Sequence, residues 1–202
     1  AMVGLRPVIE FMTWNFALLA YDAIVNSAAK IRHMSGGQFE VPIVFRGPGG
    51  SALQLAAQHS QVPDPWYANI PGIKVCAPAT PADAMGLLKT AIRDEDPVVF
   101  IEGELLYNVK GEVPDTEHLV PIGLADIKRS GEDVTIVAHS KMIHVALQAA
   151  EGALDEVSNI LLRLRELTEQ SLNGTLTDVE RSYLDNEFQA LLSEIDRISA
   201  SV

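Results

Sequence analysis

Proline sets the first limit on what this chain can fold into: all 11 prolines lie at or before Pro121, and no Pro, Lys, His, Cys or Trp follows Ala150. A proline-free stretch can run as long unbroken helices, whereas the earlier part must break and turn repeatedly. Charge divides at the same place. Residues 1–150 carry 11 Lys and Arg against 16 Asp and Glu, net −5, and residues 151–202 carry 4 Arg against 11 acids, net −7. The chain therefore reads as two unlike pieces joined near Ala150.

With 202 residues and 48% apolar composition the chain can bury a real core. The net charge of −12 opposes binding to phosphate backbones and anionic membrane surfaces, so small molecules or proteins are the expected partners, with no nucleic acid and no membrane. Cys76 is the only cysteine, which excludes an internal disulfide and a cysteine zinc cage and marks a small core residue. Ala1 to Phe16 shows no basic segment followed by a long apolar run, so the expectation is a cytoplasmic protein without a leader.

In the first piece, short β-branched runs alternate with helical stretches. Strands are expected at Pro7–Phe11, Val41–Arg46, Lys74–Pro78, Pro97–Gly103 and Val134–Ser140, with helices from about Trp14, near Ser51 and from Pro81. This alternation predicts a parallel sheet covered by helices. The last of these helices is the best marked, since Thr80 can cap it, Pro81 suits its first turn and Asp83 can complete a capping box. Residues 108–122 read as a linker, and Val134–Ser140 with the helix after it reads as one strand and one helix of a second unit.

Across the join, Ile143, Leu147, Ala150, Leu154, Val157, Leu161 and Leu164 step by four and three, which predicts one continuous helix from about Lys141 despite Gly152. Asn173 and Gly174 end it, and Thr177 with Glu180 makes a capping box for a return helix striped by Leu184, Phe188, Leu191, Ile195 and Ile198. One hairpin cannot bury both stripes, so helical partners or self-association through residues 143–198 are expected. The fold class is thus α/β, an incomplete parallel-sheet domain, followed by an all-α antiparallel helical hairpin.

Three features could carry chemistry. Arg46-Gly-Pro-Gly-Gly-Ser51 reads as a strand-to-helix turn able to offer backbone N–H groups to an anion, without the Lys-Ser/Thr of a P-loop. His59 sits among polar residues where an imidazole can do acid–base work. Glu102 and Glu104 flank Gly103 at a strand end, a place for functional carboxylates in α/β folds, with solvated surface acids as the favoured reading. The remaining histidines, His33, His118, His139 and His144, show no metal spacing.

The residues also carry a family resemblance. Gly4-Leu-Arg-Pro7, Glu10-Phe-Met-Thr-Trp-Asn-Phe16, Asn26-Ser-Ala-Ala-Lys30, Val41-Pro-Ile-Val-Phe-Arg-Gly-Pro48, Ala57-Gln-His-Ser-Gln61 and Ala91-Ile-Arg-Asp94 resemble the β subunit of the thiamine-diphosphate-dependent pyruvate dehydrogenase component, from the first residue to about Ala150. The resemblance implies a pyrimidine-type domain over 1–121, and over 122–150 a linker plus the first βα unit of a transketolase carboxy-terminal-type domain. It implies thiamine diphosphate with magnesium shared with an α subunit, and acyl transfer to a lipoyl domain. By matching positions Phe16 lines the cofactor pocket, His59 is the active-site histidine, and Ile43, Ala91, Ile92, Asp94 and Asp96 surround a potassium ion, mostly through backbone carbonyls. The family's activating glutamate lies upstream of Ala1, so the chain alone is expected to be inactive.

From about Glu151 the resemblance changes. Glu151-Gly-Ala-Leu-Asp-Glu-Val157, Leu162-Arg-Leu-Arg-Glu-Leu167, Asn173-Gly-Thr175 and Glu194-Ile-Asp-Arg-Ile-Ser199 resemble the amino-terminal helical rod of flagellin, which implies a hairpin over 151–202 with Arg163, Leu167 and Glu187 on a receptor-type face. The alternatives to a truncated enzyme subunit are accordingly a flagellin-like filament or receptor-interaction module, extracellular in that parent family, and a chimeric scaffold without evolved activity.

Overall fold

The computed structural model of the chain describes residues 1–50, 55–132, 134–172 and 175–201, without the side chain of Ser201. The chain divides into two compact units, 1–128 with 138–144, and 129–137 with 145–202.

In the first unit four parallel strands, β1 (Val8–Glu10), β2 (Val44–Gly49), β3 (Lys74–Cys76) and β4 (Val98–Gly103), form one sheet in the order β1-β2-β4-β3. Val8 pairs with Val44, Val44 with Val98, and Lys74 with Val98. The central strand β4 is buried on both sides, and its side chains alternate as a period of two requires. Val99 and Ile101 join Trp14, Ile24, Phe45 and Tyr67 on one face. Val98 and Phe100 join Val44, Cys76 and Ala91 on the other.

The first face is covered by a helical run that changes its winding, tight over Trp14–Ala20, wide over Ala23–Ala28 and regular over α1 (Ala29–Met34), and by the short α2 (Asp64–Ala68). The second face carries α3 (Pro81–Arg93). Its Thr80 hydroxyl accepts the Asp83 amide at 3.2 Å and the Asp83 carboxylate accepts the Thr80 amide at 3.2 Å, the reciprocal cap read from the sequence. Cys76 is buried as expected, and burial pushes its thiol up to about 11.

Two strand predictions need correction. The segment 134–139 forms no ladder among the described residues; Val134, Ile136 and Val137 stand exposed, because β-branched alternation makes a strand only where a neighbour supplies hydrogen bonds. The glycine run after Arg46 is no turn out of the strand but the end of β2 itself, with Gly47, Pro48 and Gly49 opposite Ile101, Glu102 and Gly103. A Cβ at Gly47 would press into the Phe11 carbonyl oxygen, and one at Gly49 would come 2.9 Å from Ile101 Cγ2, so glycine serves close approach here. The helix expected near Ser51 and the Asn173–Gly174 helix end lie outside the described residues.

Two long helices follow, α4 (Lys141–Ser171), unbroken across the predicted join, and α5 (Asp178–Ser201). Thr177 and Glu180 cap α5 reciprocally: the Thr177 amide donates to Glu180 Oε2 at 2.8 Å and the Glu180 amide to Thr177 Oγ1 at 3.3 Å. In the second unit Ile160, Leu164 and Ile198 are buried, with Ala153, Val157, Phe188, Leu191 and Ile195 against them. The seam therefore runs through 153, 157, 160 and 164 rather than through Leu154 and Leu161, which are 51% and 54% exposed. Two registers of a 3.6-residue repeat fit the apolar residues of α4, and one antiparallel partner can cover only one of them. No helix among the described residues is long and apolar enough to cross a membrane.

Candidate functional site

Thr13 opens the first helical run: its hydroxyl accepts the Asn15 amide at 3.4 Å and the Asn15 side-chain N–H at 2.7 Å. Trp14 is fully buried and its indole N–H donates to the Phe100 carbonyl at 3.3 Å. With Trp14 and Ala17 turned inward, Phe16 is left outward and 50% exposed. Its ring meets the edge of His59, with centroids 5.2 Å apart and planes at 83°. The two residues assigned to the cofactor by resemblance are thus neighbours, although 43 positions apart in the chain.

His59 rides on a tight turn, Ala57–His59, entered by Ala56 at φ +66°, a left-handed conformation that costs energy in a residue with a Cβ. The turn is tied down at its far side. The Ser60 hydroxyl donates to the Ala56 carbonyl at 3.0 Å, the Gln61 amide donates to Asn15 Oδ1 at 3.0 Å, and the Gly50 amide donates to the Gln61 carbonyl at 3.1 Å. Asn15, buried beside Phe16, therefore links the aromatic residue to the loop that carries the histidine. Sequence reasoning misses it; the only local signal is its place between Trp14 and Phe16.

Glu102 also departs from expectation. It is buried rather than solvated, 7% exposed, because it sits on the central strand. Arg46 on β2 grips it with two bonds, Nε to Oε1 at 2.6 Å and Nη2 to Oε2 at 2.7 Å, and the Tyr107 hydroxyl donates to Oε2 at 2.7 Å. Burial first, and then the hydrogen bond to Glu102, pushes the Tyr107 phenol above its ordinary range. Glu10 reaches Arg46 from β1 at 3.1 Å, and Glu104 begins a tight turn after β4.

The residues assigned to potassium gather around the end of α3. The Ile43 carbonyl accepts the Val98 amide at 2.9 Å and the Ala91 carbonyl accepts the Asp94 amide at 3.3 Å. Arg6 Nη1 donates to the carbonyls of Ile92 and Asp94 at 3.2 and 2.8 Å, and its guanidinium also pairs with Glu95. Lys74 lies 2.8 Å from both Asp94 oxygens and 3.3 Å from Asp96, which also pairs with Arg32. Arg6 thus answers the carbonyls of Ile92 and Asp94, Lys74 and Arg32 answer carboxylates, and the carbonyls of Ile43 and Ala91 accept backbone amides, so a cation here would share two of its carbonyls with a guanidinium. No group of three or more His, Cys, Asp or Glu able to hold a metal occurs among the described residues.

In the second unit Arg163 Nε donates to Glu187 at 2.8 Å and Nη1 to Glu166 at 3.0 Å. Leu167 is 2% exposed and so does not belong to an outward face with them: it lies three residues after Leu164, on the buried seam.

Residues 1–110 match the model of the transketolase pyrimidine binding domain, and residues 134–202 match that of the bacterial flagellin N-terminal helical region. The mitochondrial pyruvate dehydrogenase E1 component subunit beta-2 of Oryza sativa subsp. japonica is 53% identical over 190 residues, covering 90% of this chain and 50% of its own length. The corresponding subunit beta of Drosophila melanogaster is 54% identical over 172 residues, covering 83% of this chain and 47% of its own. That of Rhizobium meliloti (strain 1021) is 49% identical over 184 residues, covering 90% and 40%. The chain thus spans about half the length of the relatives it matches, and the longest of these alignments run into the stretch that the flagellin model also matches. A solved structure described as a split gene transketolase, inactive beta4 tetramer, superposes with a TM-score of 0.61 at 25% identity over 76% of this chain and 47% of that one. A parallel sheet with helices on both faces, over residues matched by one family model for more than half the chain, leads to one assignment: through residues 1–110 the chain belongs to the transketolase pyrimidine binding domain family, and it ends in a flagellin-like helical region.

Proposed function

We propose that the first unit is the pyrimidine-side half of a thiamine diphosphate site of the pyruvate dehydrogenase type, and that it works only against a complementary α subunit. The observation that carries this is the Phe16–His59 pair: a half-exposed aromatic ring beside an imidazole, both fixed through Asn15, suits a flat heteroaromatic ring bearing an amino group. When bound, thiamine diphosphate supplies the carbanion-stabilising chemistry of 2-oxo acid decarboxylation. In this reading Phe16 offers its ring face, His59 holds or moves a proton beside the reacting carbon, and Asn15 keeps the two in register.

In this reading the diphosphate and its magnesium would be held by oxygen ligands of the α subunit. Acyl transfer to a lipoyl domain would likewise belong to the whole assembly. The solved relative described as an inactive beta4 tetramer fits a β-type chain that is silent alone. A potassium ion at the end of α3 would have to share or displace Arg6.

Calorimetric titration with thiamine diphosphate and magnesium tests the reading. Binding is expected in the presence of a pyruvate dehydrogenase α subunit and is expected to weaken at least tenfold in Phe16→Ala. Equal binding by the variant would remove Phe16 from the site.

A second reading is favoured by the flagellin-type match over 134–202. It gives α4 and α5 a helix-packing role, with Arg163 and Glu187 outward as a recognition face. Innate-receptor activation by the intact chain, lost on Arg163→Ala, would support it; no response from the intact chain would remove it.

A further inference from the structure

A cavity of about 350 Å³ opens between α3, the end of β4 and the turn that follows it, sharing no lining residue with the Phe16–His59 pair. This is within the size range of small-ligand pockets. Its walls are apolar, with Pro78, Met85, Leu88 and Leu106 among them, and its polar end is the Arg46–Glu102–Tyr107 cluster. We propose that this cavity is a binding site for a small organic ammonium ion with an apolar body, held by Glu102.

The acceptor left on Glu102 and the charge of its cluster together set the head group. Glu102 offers about four acceptor positions. Among the hydrogen bonds of the described residues, Oε2 receives Arg46 Nη2 and the Tyr107 hydroxyl, while Oε1 receives Arg46 Nε alone. One acceptor position on a buried carboxylate therefore remains for a ligand, and only a donor can use it. Of the five N–H groups of Arg46, three are spent on Glu102 and Glu10, and its one positive charge is shared between those two carboxylates, which leaves it a weak holder of an anion.

The charge of the cluster agrees, with Glu10 reaching Arg46 from outside the lining. Glu10 and Glu102 carry two negative charges against one positive charge on Arg46. The start of α3, which lines the cavity at Thr80 and Pro81 and would by itself favour an anion, is already answered by the Asp83 carboxylate. Asp83 is in turn balanced by Lys128. The Glu10–Arg46–Glu102 cluster keeps one net negative charge, and the acidity of the whole chain adds attraction at long range. Tyr107 stays a neutral donor, since burial and Glu102 hold its proton on.

The test uses three probes with one body, 2-phenylethylammonium, 2-phenylethanol and phenylacetate, titrated into the full chain by calorimetry or amide-resolved NMR. The ammonium is expected to bind at least tenfold more tightly than phenylacetate, with 2-phenylethanol between them, and to weaken at least tenfold in Glu102→Gln. Leu88→Trp, which fills the cavity from α3, is expected to abolish binding of all three. Phenylacetate binding as well as the ammonium would overturn the proposal, as would a folded Glu102→Gln of undiminished affinity. The charge preference is read on the unaltered chain, so it decides the matter even where a variant does not fold. None of these changes touches Phe16 or His59, so the outcome is independent of the thiamine reading.

Discussion

The Asn15 side-chain carbonyl accepts the Gln61 amide at 3.0 Å, and this one bond joins the helical run bearing Phe16 to the loop bearing His59. Asn15 is 5% exposed, so its loss leaves a donor without its partner at the edge of the core. Asn15→Ala is expected to cost about 1–3 kcal/mol. It should also speed hydrogen exchange at the Gln61 amide while that of β4 is unchanged. Unchanged exchange at Gln61 would show that the loop is held by something else.

The two registers of α4 separate by mutation. Leu164 is 7% exposed and Leu161 is 54% exposed. Leu164→Ala should destabilise the helical unit by about 2–5 kcal/mol, and Leu161→Ala should stay within about 0.5 kcal/mol. Denaturant titration followed by helical circular dichroism distinguishes them, and equal costs would mean that Leu161 is covered in solution.

Gly152 lies inside α4, and a Cβ added there meets nothing within 4 Å. Gly152→Ala is therefore expected to stabilise the helix by about 1 kcal/mol. A loss in thermal unfolding would imply that this surface contacts another chain.

Both capping boxes respond to acid. Burial would raise the Asp83 carboxyl, but the Lys128 ammonium at 2.8 Å and the hydroxyl and amide of Thr80 outweigh it and hold the group below its ordinary range. The Thr177 amide, and then its hydroxyl, do the same for Glu180. A carboxyl whose folded value is depressed gives its stabilisation fully above the ordinary carboxylate range and loses it as pH falls through the lowered value. The starts of α3 and α5 should therefore fray on acidification. Asp83→Asn and Glu180→Gln should flatten that pH dependence, and an unaltered acid limb in the double variant would count against this source.

The features legible in the sequence are local ones. Thr80 and Asp83, or Thr177 and Glu180, form their caps within three residues, and such spacing is visible in one dimension. The continuity of α4 follows from a periodic stripe, but its register does not, because only the packing of α5 chooses between the face carrying Ile160 and Leu164 and the face carrying Leu154 and Leu161. The Arg46–Glu102 pair joins residues 56 positions apart and has no signature along the chain. The glycines of β2 read as a turn in one dimension, since a need for close approach to Phe11 and Ile101 exists only once the strands are assembled. The Phe16–His59 juxtaposition is reached through family resemblance alone, and Asn15 enters only with the structure.

The half-site reading is tested most directly by decarboxylation of pyruvate with thiamine diphosphate and magnesium, measured on the purified chain and again after adding a pyruvate dehydrogenase α subunit. The chain by itself should show only the background rate. Turnover by the chain alone in the ordinary enzymatic range, ~1 s⁻¹ or faster, would contradict the claim that its site is completed by another subunit.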